Sequence, residues 1–324
     1  MSSFIHYYEE ELKLRNPVVV VAFGGWNDAA DSATTAIKFL IDRWHPQKVA
    51  EIESEDFFVF TEVRPTVKFV DGIQRAIVWP TNQFLAHQTP ELDHDVILFI
   101  GFEPQLKWKT FSNTFLQVCK HFHASEVVFL GALLADVPHS AAVPITCTSS
   151  THEIMERLRE MDVDNSRYEG PTGMIGVLHD AFRHTNIASA TFWAAAPHYL
   201  AATPNIKVTA ALLTYLNTFL SFDLDLSEIQ SDAVHFDQQV TMLVARDPEA
   251  STYVRKLEEQ LQKRLSGEDD ENEDDGDDLI ELDRIKGTGP LPSADSLIRD
   301  VEQLLREQLK NGRQPENDDD EDNE

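Results

Sequence analysis

Pro17-Val18-Val19-Val20-Val21-Ala22-Phe23, running straight into Gly24-Gly25-Trp26-Asn27-Asp28-Ala29-Ala30-Asp31-Ser32, decides the fold class. The apolar run shows no alternation, which predicts a parallel strand buried on both faces. Two glycines permit a tight turn after it. Asn27 or Asp28 can cap a helix that continues to about Trp44. A strand, a small-residue turn and a helix in that order place the start of a site at the carboxyl edge of a sheet, where open α/β folds bind ligands.

The remainder of the chain repeats this alternation. Strands are expected at Lys48 to Ile52, Phe57 to Phe60, Val96 to Ile100 (closed by Gly101), Val127 to Leu130 (closed by Gly131) and Ala188 to Ala194. Helices are expected at Leu106 to Phe122, His152 to Met161, Met174 to Arg183 and Val208 to Leu220. Asp71-Gly72 between Thr66–Val70 and Gln74–Trp79 signals a hairpin, read as an antiparallel part of the sheet or an inserted flap. The pattern predicts a three-layer α/β/α core with a mostly parallel sheet over residues 1–221. Beyond Ser221 it gives way to a C-terminal helical region, 222–311. That region holds Leu226 to Val244, Pro248 to Leu265 with Asp247 as its cap, and a last helix at Ser293 to Leu309.

The chain has 324 residues, 42% of them hydrophobic, enough for a sizeable core, and a net charge of −29. Glu268 to Asp283 carries 11 acidic residues and no basic one, and Glu316 to Glu324 carries 7 more. Setting these aside leaves a net charge of about −11. Both runs, 267–283 and the tail 312–324, are expected to be disordered, as solubilising segments or docking sites for a basic partner. The acidic balance argues against nucleic acid as a partner. No apolar stretch reaches membrane-spanning length, and no basic-then-apolar leader opens the chain. Two cysteines, Cys119 and Cys147, make no disulfide framework, and the reading is cytoplasmic.

Candidate site residues are Gly24, Gly25, Trp26, Asp28, Glu103, Asp136, His139, Gly170, Thr172 and Gly173. Loops after parallel strands share one edge, so Asp28, Glu103 and Asp136 could converge there with a histidine such as His139 or His198 to do acid–base work or hold a metal. The alternative is structural: Asp28 as a cap, Glu103 and Asp136 as turn residues before Pro104 and Pro138. The Gly170 to Gly176 loop opens onto a helix whose free amides attract anions, yet it matches neither a phosphate-binding nor a dinucleotide-binding fingerprint. Close helix–strand packing is the other role for its glycines. Trp26 either covers the core or lines a pocket. Cys119, His121 and His123 fall on different faces of a helix, which is poor geometry for a metal, and no metal or other cofactor is expected. Serine-hydrolase, zincin and dithiol motifs are absent from the sequence.

Six segments in order resemble the proteasome assembly chaperone 2 family in its bacterial branch. They are Gly25-Trp26-Asn27-Asp28-Ala29-Ala30-Asp31, Gly101-Phe102-Glu103-Pro104 with Trp108 and Phe111, Gly131 to His139, Tyr168 to Leu178, Pro197-His198-Tyr199-Leu200, and Leu291-Pro292-Ser293. The resemblance implies a core related in architecture to phosphorylases and peptidyl-tRNA hydrolases, a helical appendage and homo-oligomers, with a trimer as first expectation. Eukaryotic and archaeal members assist proteasome assembly, so a proteasome-like complex is the implied partner. One departure concerns Pro138-His139. The family tends to place Thr-Arg-Pro after it, whereas Ser140-Ala141-Ala142 follows here, removing an arginine that could meet an anion. Two readings follow. One is a non-catalytic protein that binds other proteins. The other is a ligand-binding protein or enzyme with phosphorylase- or hydrolase-like chemistry at the strand-end loops, for which fold similarity is weak warrant.

Overall fold

A computed structural model describes residues 4–8, 13–70, 74–201 and 204–266. The acidic runs and the helix expected at Ser293 to Leu309 lie outside them. In chain order the strands are β1 (Ile5–Tyr7), β2 (Val18–Gly24), β3 (Gln47–Ile52), β4 (Thr66–Val70), β5 (Gln74–Val78), β6 (Asn82–His87), β7 (Val96–Phe102), β8 (Glu126–Ala135), β9 (Ile145–Ser149), β10 (Asp164–Asn165) and β11 (Ala188–Pro197). The α-helices are α1 (Ser32–Trp44), α2 (Trp108–His121), α3 (His152–Glu160), α4 (Met174–Phe182), α5 (Ile206–Leu220), α6 (Ser227–Val244) and α7 (Pro248–Ser266).

Nine strands form one sheet in the order β1-β3-β6-β7-β2-β8-β11-β9-β10. Its centre, β7-β2-β8-β11, is entirely parallel. Antiparallel pairs flank it, β6 with β7 on one side and β9 with β11 on the other. β2 is buried at every residue because both its faces are covered. Val18, Val20 and Ala22 pack into a layer with Ala33, Ile37 and Leu40 of α1 and Leu212, Leu213 and Leu216 of α5. Val19, Val21 and Phe23 pack the opposite way, against Phe111 and Phe115 of α2 and Leu178 and Phe182 of α4. Burial of successive residues toward different helical layers is the physical reason the run lacks alternation.

The hairpin forms as β4 and β5, paired antiparallel from Thr66 opposite Val78 to Val70 opposite Gln74. It makes a separate two-stranded sheet, the inserted flap of the two readings. The strand expected at Phe57 to Phe60 does not form. Phe57 and Phe58 instead close turns on the Ser54 carbonyl, and Phe57 plugs the core edge-on between Phe4 and Phe111. Phe57 and Phe58 are buried in succession from this turn, without the alternation between two faces that a strand shows. β1, β6, β9 and β10 add to the strands read from sequence. Of these, β6 carries a clear period of two in its burial.

α6 spans two clusters. Ile229 and Ala233 join the α1–α5 layer. Phe236, Val240 and Val244 form a smaller cluster with Tyr199, Leu200 and the α7 residues Ala250, Val254 and Leu257. Among the described residues no helix is long and apolar enough to cross a membrane.

Candidate functional site

Asp28, Glu103 and Asp136 follow β2, β7 and β8, three adjacent parallel strands, and so share the carboxyl edge of the sheet. Asp28 also bridges to Ala132 of β8. Each carboxylate is nevertheless engaged in a different local task.

Asp28 is buried and serves α1. Its Oδ1 accepts from the Ala33 and Thr34 amides at 2.6 and 3.2 Å, and its Oδ2 accepts from the Thr34 hydroxyl. The cap thus comes from beyond a short 3-10 turn, Ala29–Asp31, in which Ala30 and Asp31 hold left-handed φ of 52° and 50°. Burial raises the carboxyl pKa, opposed by those three hydrogen bonds.

Glu103 serves α4. Its Oε1 accepts from the Met174 amide at 2.6 Å and from Asn27 Nδ2 at 2.8 Å. The helix N-terminus that could attract an anion therefore already holds one from the chain itself. Gly173 is required there: a Cβ would collide with the Asn27 amide and lie 2.6 Å from Glu103 Oε1. Gly170 is crowded instead by the Tyr168 ring, and Gly24 by Phe102. Gly25 has φ of +118°, a conformation that favours glycine.

Asp136 and His139 face the C-terminal helices. Asp136 pairs with His198 Nδ1 at 3.1 Å, and His198 Nε2 meets the Tyr253 hydroxyl of α7 at 3.1 Å. Tyr199 Oη accepts from the His139 amide at 2.7 Å and donates to its Nδ1 at 2.8 Å. His139 Nε2–H then donates to Thr241 Oγ1 of α6 at 3.2 Å, and that hydroxyl donates onward to the Asp237 carbonyl. Lys207 Nζ ties the His139 carbonyl to the Asp237 carboxylate. Neither His139 nor any of the three carboxylates lines the cavity beside α4 described below. Asp28 and Glu103 each accept from amides at the start of a helix, and Asp136 and His139 join the contacts made by α6 and α7.

A cavity of about 620 Å³ lies elsewhere, between α4 and the β9–β11 part of the sheet, reaching the carboxyl edge at Gly25 and Trp26. Of the sequence candidates, Gly25, Trp26 and Thr172 line it. Thr148, Tyr168, His179, Thr191 and Trp193 line it too and were not singled out as site residues. The available signal was the alternation Ser189-x-Thr191-x-Trp193, which puts polar side chains on one face of a strand whose other face, Ala190, Phe192 and Ala194, is apolar.

Among the described residues no cluster of three or more histidine, cysteine or acidic side chains could hold a metal. Cys119 and Cys147 are both buried and form no disulfide. The His121 ring packs against Tyr7 with the ring centres 4.2 Å apart and the planes tilted by 33°.

Burial holds the imidazoles of His87, His94, His139 and His179 below the usual histidine range. In the unfolded chain these groups protonate near pH 6.5, whereas in the fold they do so only at lower pH. Their contribution to stability is fully present above pH 6.5 and is lost as pH falls through 6.5 toward the folded values. The melting temperature is expected to be lower at pH 5.5 than at pH 7.5. A flat thermal profile over that window contradicts the assignment.

A three-layer α/β/α core with a helical appendage is the class this architecture defines. The chain belongs to the PAC2 family, whose pattern matches residues 22–244. It is 37% identical to a proteasome-assembly chaperone homologue of Mycobacterium tuberculosis, with 73% of this chain and 99% of that one aligned and a TM-score of 0.66. It is 38% identical to a PAC2 family protein of Streptomyces avermitilis, covering 74% of this chain and 99% of the other, with a TM-score of 0.67. Pyrococcus furiosus PbaB, an archaeal proteasome activator, shares the fold at 15% identity over 74% of this chain and 97% of its own, with a TM-score of 0.60. No curated protein sequence matches the chain.

Proposed function

We propose that this protein is non-catalytic and acts in the cytoplasm by binding other proteins, as an assembly chaperone does. The observation that carries the reading is the β4–β5 hairpin. Val67, Phe69 and Ile77 are each 60–63% exposed, and Val70, Val78 and Trp79 are exposed as well. Val67 sits opposite Ile77, and Phe69 opposite Arg75, whose guanidinium lies 5.5 Å from the Phe69 ring. A lone two-stranded hairpin is marginal in water, and an exposed apolar patch of this kind marks interaction sites. Two further points support the reading. The strand-end carboxylates are consumed by caps and docking contacts, and the mycobacterial relative is named as a proteasome-assembly chaperone homologue.

The partners in this proposal are a second copy of the chain, with a trimer as the expected assembly, and the subunits of a proteasome-like complex. Light scattering on the intact chain at micromolar concentration should return a trimer mass. The double variant Phe69→Asp with Ile77→Asp should shift it toward monomer and abolish a complex with purified proteasome core subunits, with the melting temperature nearly unchanged. A monomer for the unaltered chain, or no loss of association in the variant, counts against it. The cavity beside α4 favours a second reading, that the chain binds a small molecule.

A further inference from the structure

We infer that the cavity between α4 and strands β9 and β11 is a binding site for a neutral, largely apolar small molecule that carries a hydrogen-bond acceptor such as a carbonyl oxygen. Its size falls within the range of small-molecule pockets, roughly 300–1,000 Å³, at about 620 Å³. Its walls are chiefly apolar and aromatic, with Trp26, Leu134, Tyr168, Ile175 and Trp193 among them. Among the described residues no lysine, arginine, aspartate or glutamate lines it. A charged ligand would lose its hydration there with no opposite charge to replace it.

Two glycines shape the space. A Cβ at residue 131 would strike the Trp193 ring, so the ring lies close against β8 only because Gly131 has no side chain. On the helix side a Cβ at Gly176 would strike the Thr172 hydroxyl, another group of the wall.

Donors in the cavity are in excess. Thr148 and Thr191 lie opposite one another across β9 and β11, and their hydroxyls share one hydrogen bond of 2.7 Å. The pair has two hydroxyl protons and one mutual bond, so one proton is left for an outside acceptor. Thr191 Oγ1 also accepts from the Thr148 amide, which uses acceptor capacity and leaves the donor count unchanged. His179 Nδ1 is bonded to Ser189 Oγ at 3.0 Å. Burial keeps this ring neutral at pH 7. When Ser189 donates to Nδ1, His179 Nε2 carries a proton as a second donor. Buried polar groups are ordinarily satisfied, and an oxygen acceptor on a bound molecule answers the donors facing the cavity.

The test uses Nile red, a neutral dye with a single ring carbonyl, titrated into the full-length protein and followed by fluorescence. Saturable binding at one site per chain is expected. Thr148→Phe, which fills the floor of the cavity, should weaken it by about tenfold or more. Thr191→Val, which keeps the shape and removes the hydroxyl, should weaken it about three- to tenfold, the usual worth of one hydrogen bond. The hairpin double variant Phe69→Asp with Ile77→Asp should bind the dye as the unaltered protein does. Each variant is checked by its melting temperature, and Thr191→Val keeps the test decisive if Thr148→Phe folds poorly. Three outcomes overturn the inference: no saturable binding, affinity indifferent to both cavity variants, or binding that disappears with the hairpin variant. The last would assign the dye to the protein-docking patch.

Discussion

Asp28→Ala is expected to lower the melting temperature by about 5–10 °C, taking a loss of roughly 2–3 kcal/mol for the cap and its buried donors. Three donors depend on this one carboxylate: two amides in the first turn of α1 and the Thr34 hydroxyl. Asp31, the residue just before α1, makes no side-chain cap bond and cannot take over. Asp28→Asn keeps a side-chain oxygen for the two amides and removes a charge that burial penalises, so its change should stay within about 1 kcal/mol. The charge has a definite sign in pH. With its folded pKa raised, ionisation lowers stability as pH climbs from 3.8 to the folded value. Above that value the stability difference between the unaltered chain and Asp28→Asn is constant. Thermal melts of the alanine and asparagine variants decide the matter. A harmless Asp28→Ala removes the capping role, and loss of partner or dye binding in a fully stable Asp28→Asn would return Asp28 to the functional site.

Tyr199→Phe should cost about 2–3 kcal/mol, because two buried groups of His139 lose their partner at once. The Tyr199 hydroxyl is the acceptor for the His139 amide and the donor to its Nδ1, and the tyrosine is fully buried. The consequence should be local. Tyr199 belongs to the cluster that holds the second half of α6 and α7, not to the two layers around β2. Amide exchange is therefore expected to rise in α6 and α7 while β2 and β8 keep their protection. Uniform loss of protection across the sheet would show that the network supports the core as a whole.

Much of the architecture was legible because it rests on periodicity. Val18 to Phe23 read as a strand covered on both faces from its unbroken apolar run, and the apolar runs beside Asp71-Gly72 read as paired strands, which pair as β4 and β5. α7 was visible in the helical spacing of Val254 and Leu257. What escaped was structure set by tertiary contact. Phe57 looked like part of a strand because its neighbours are aromatic, yet it and Phe58 are both buried from a turn. β1 and β10 are two or three residues long and have no pattern to read.

The candidate site was harder for a different reason. Sequence placed Asp28, Glu103 and Asp136 on one edge through topology, but a carboxylate beside a turn has the same spelling whether it caps a helix or handles a proton. The donors that settle it, Ala33, Thr34 and Met174, are backbone amides whose direction depends on how each helix leaves its loop. The cavity was obscure because Thr148, His179 and Thr191 come from three separate segments that meet only when α4 lies over β11.

The ends of the main sheet have a consequence for how copies of this chain can grow into larger bodies. β1 covers one rim with three residues and β10 the other with two, the latter bearing Asp164. A neighbouring strand added at either rim would find few unpaired amides and carbonyls in register, so continuous cross-molecule sheets are disfavoured. The hairpin is built the other way, with five residues in each strand and apolar side chains outward. Self-association of this protein is therefore expected to use the exposed hairpin in preference to the rims of the main sheet.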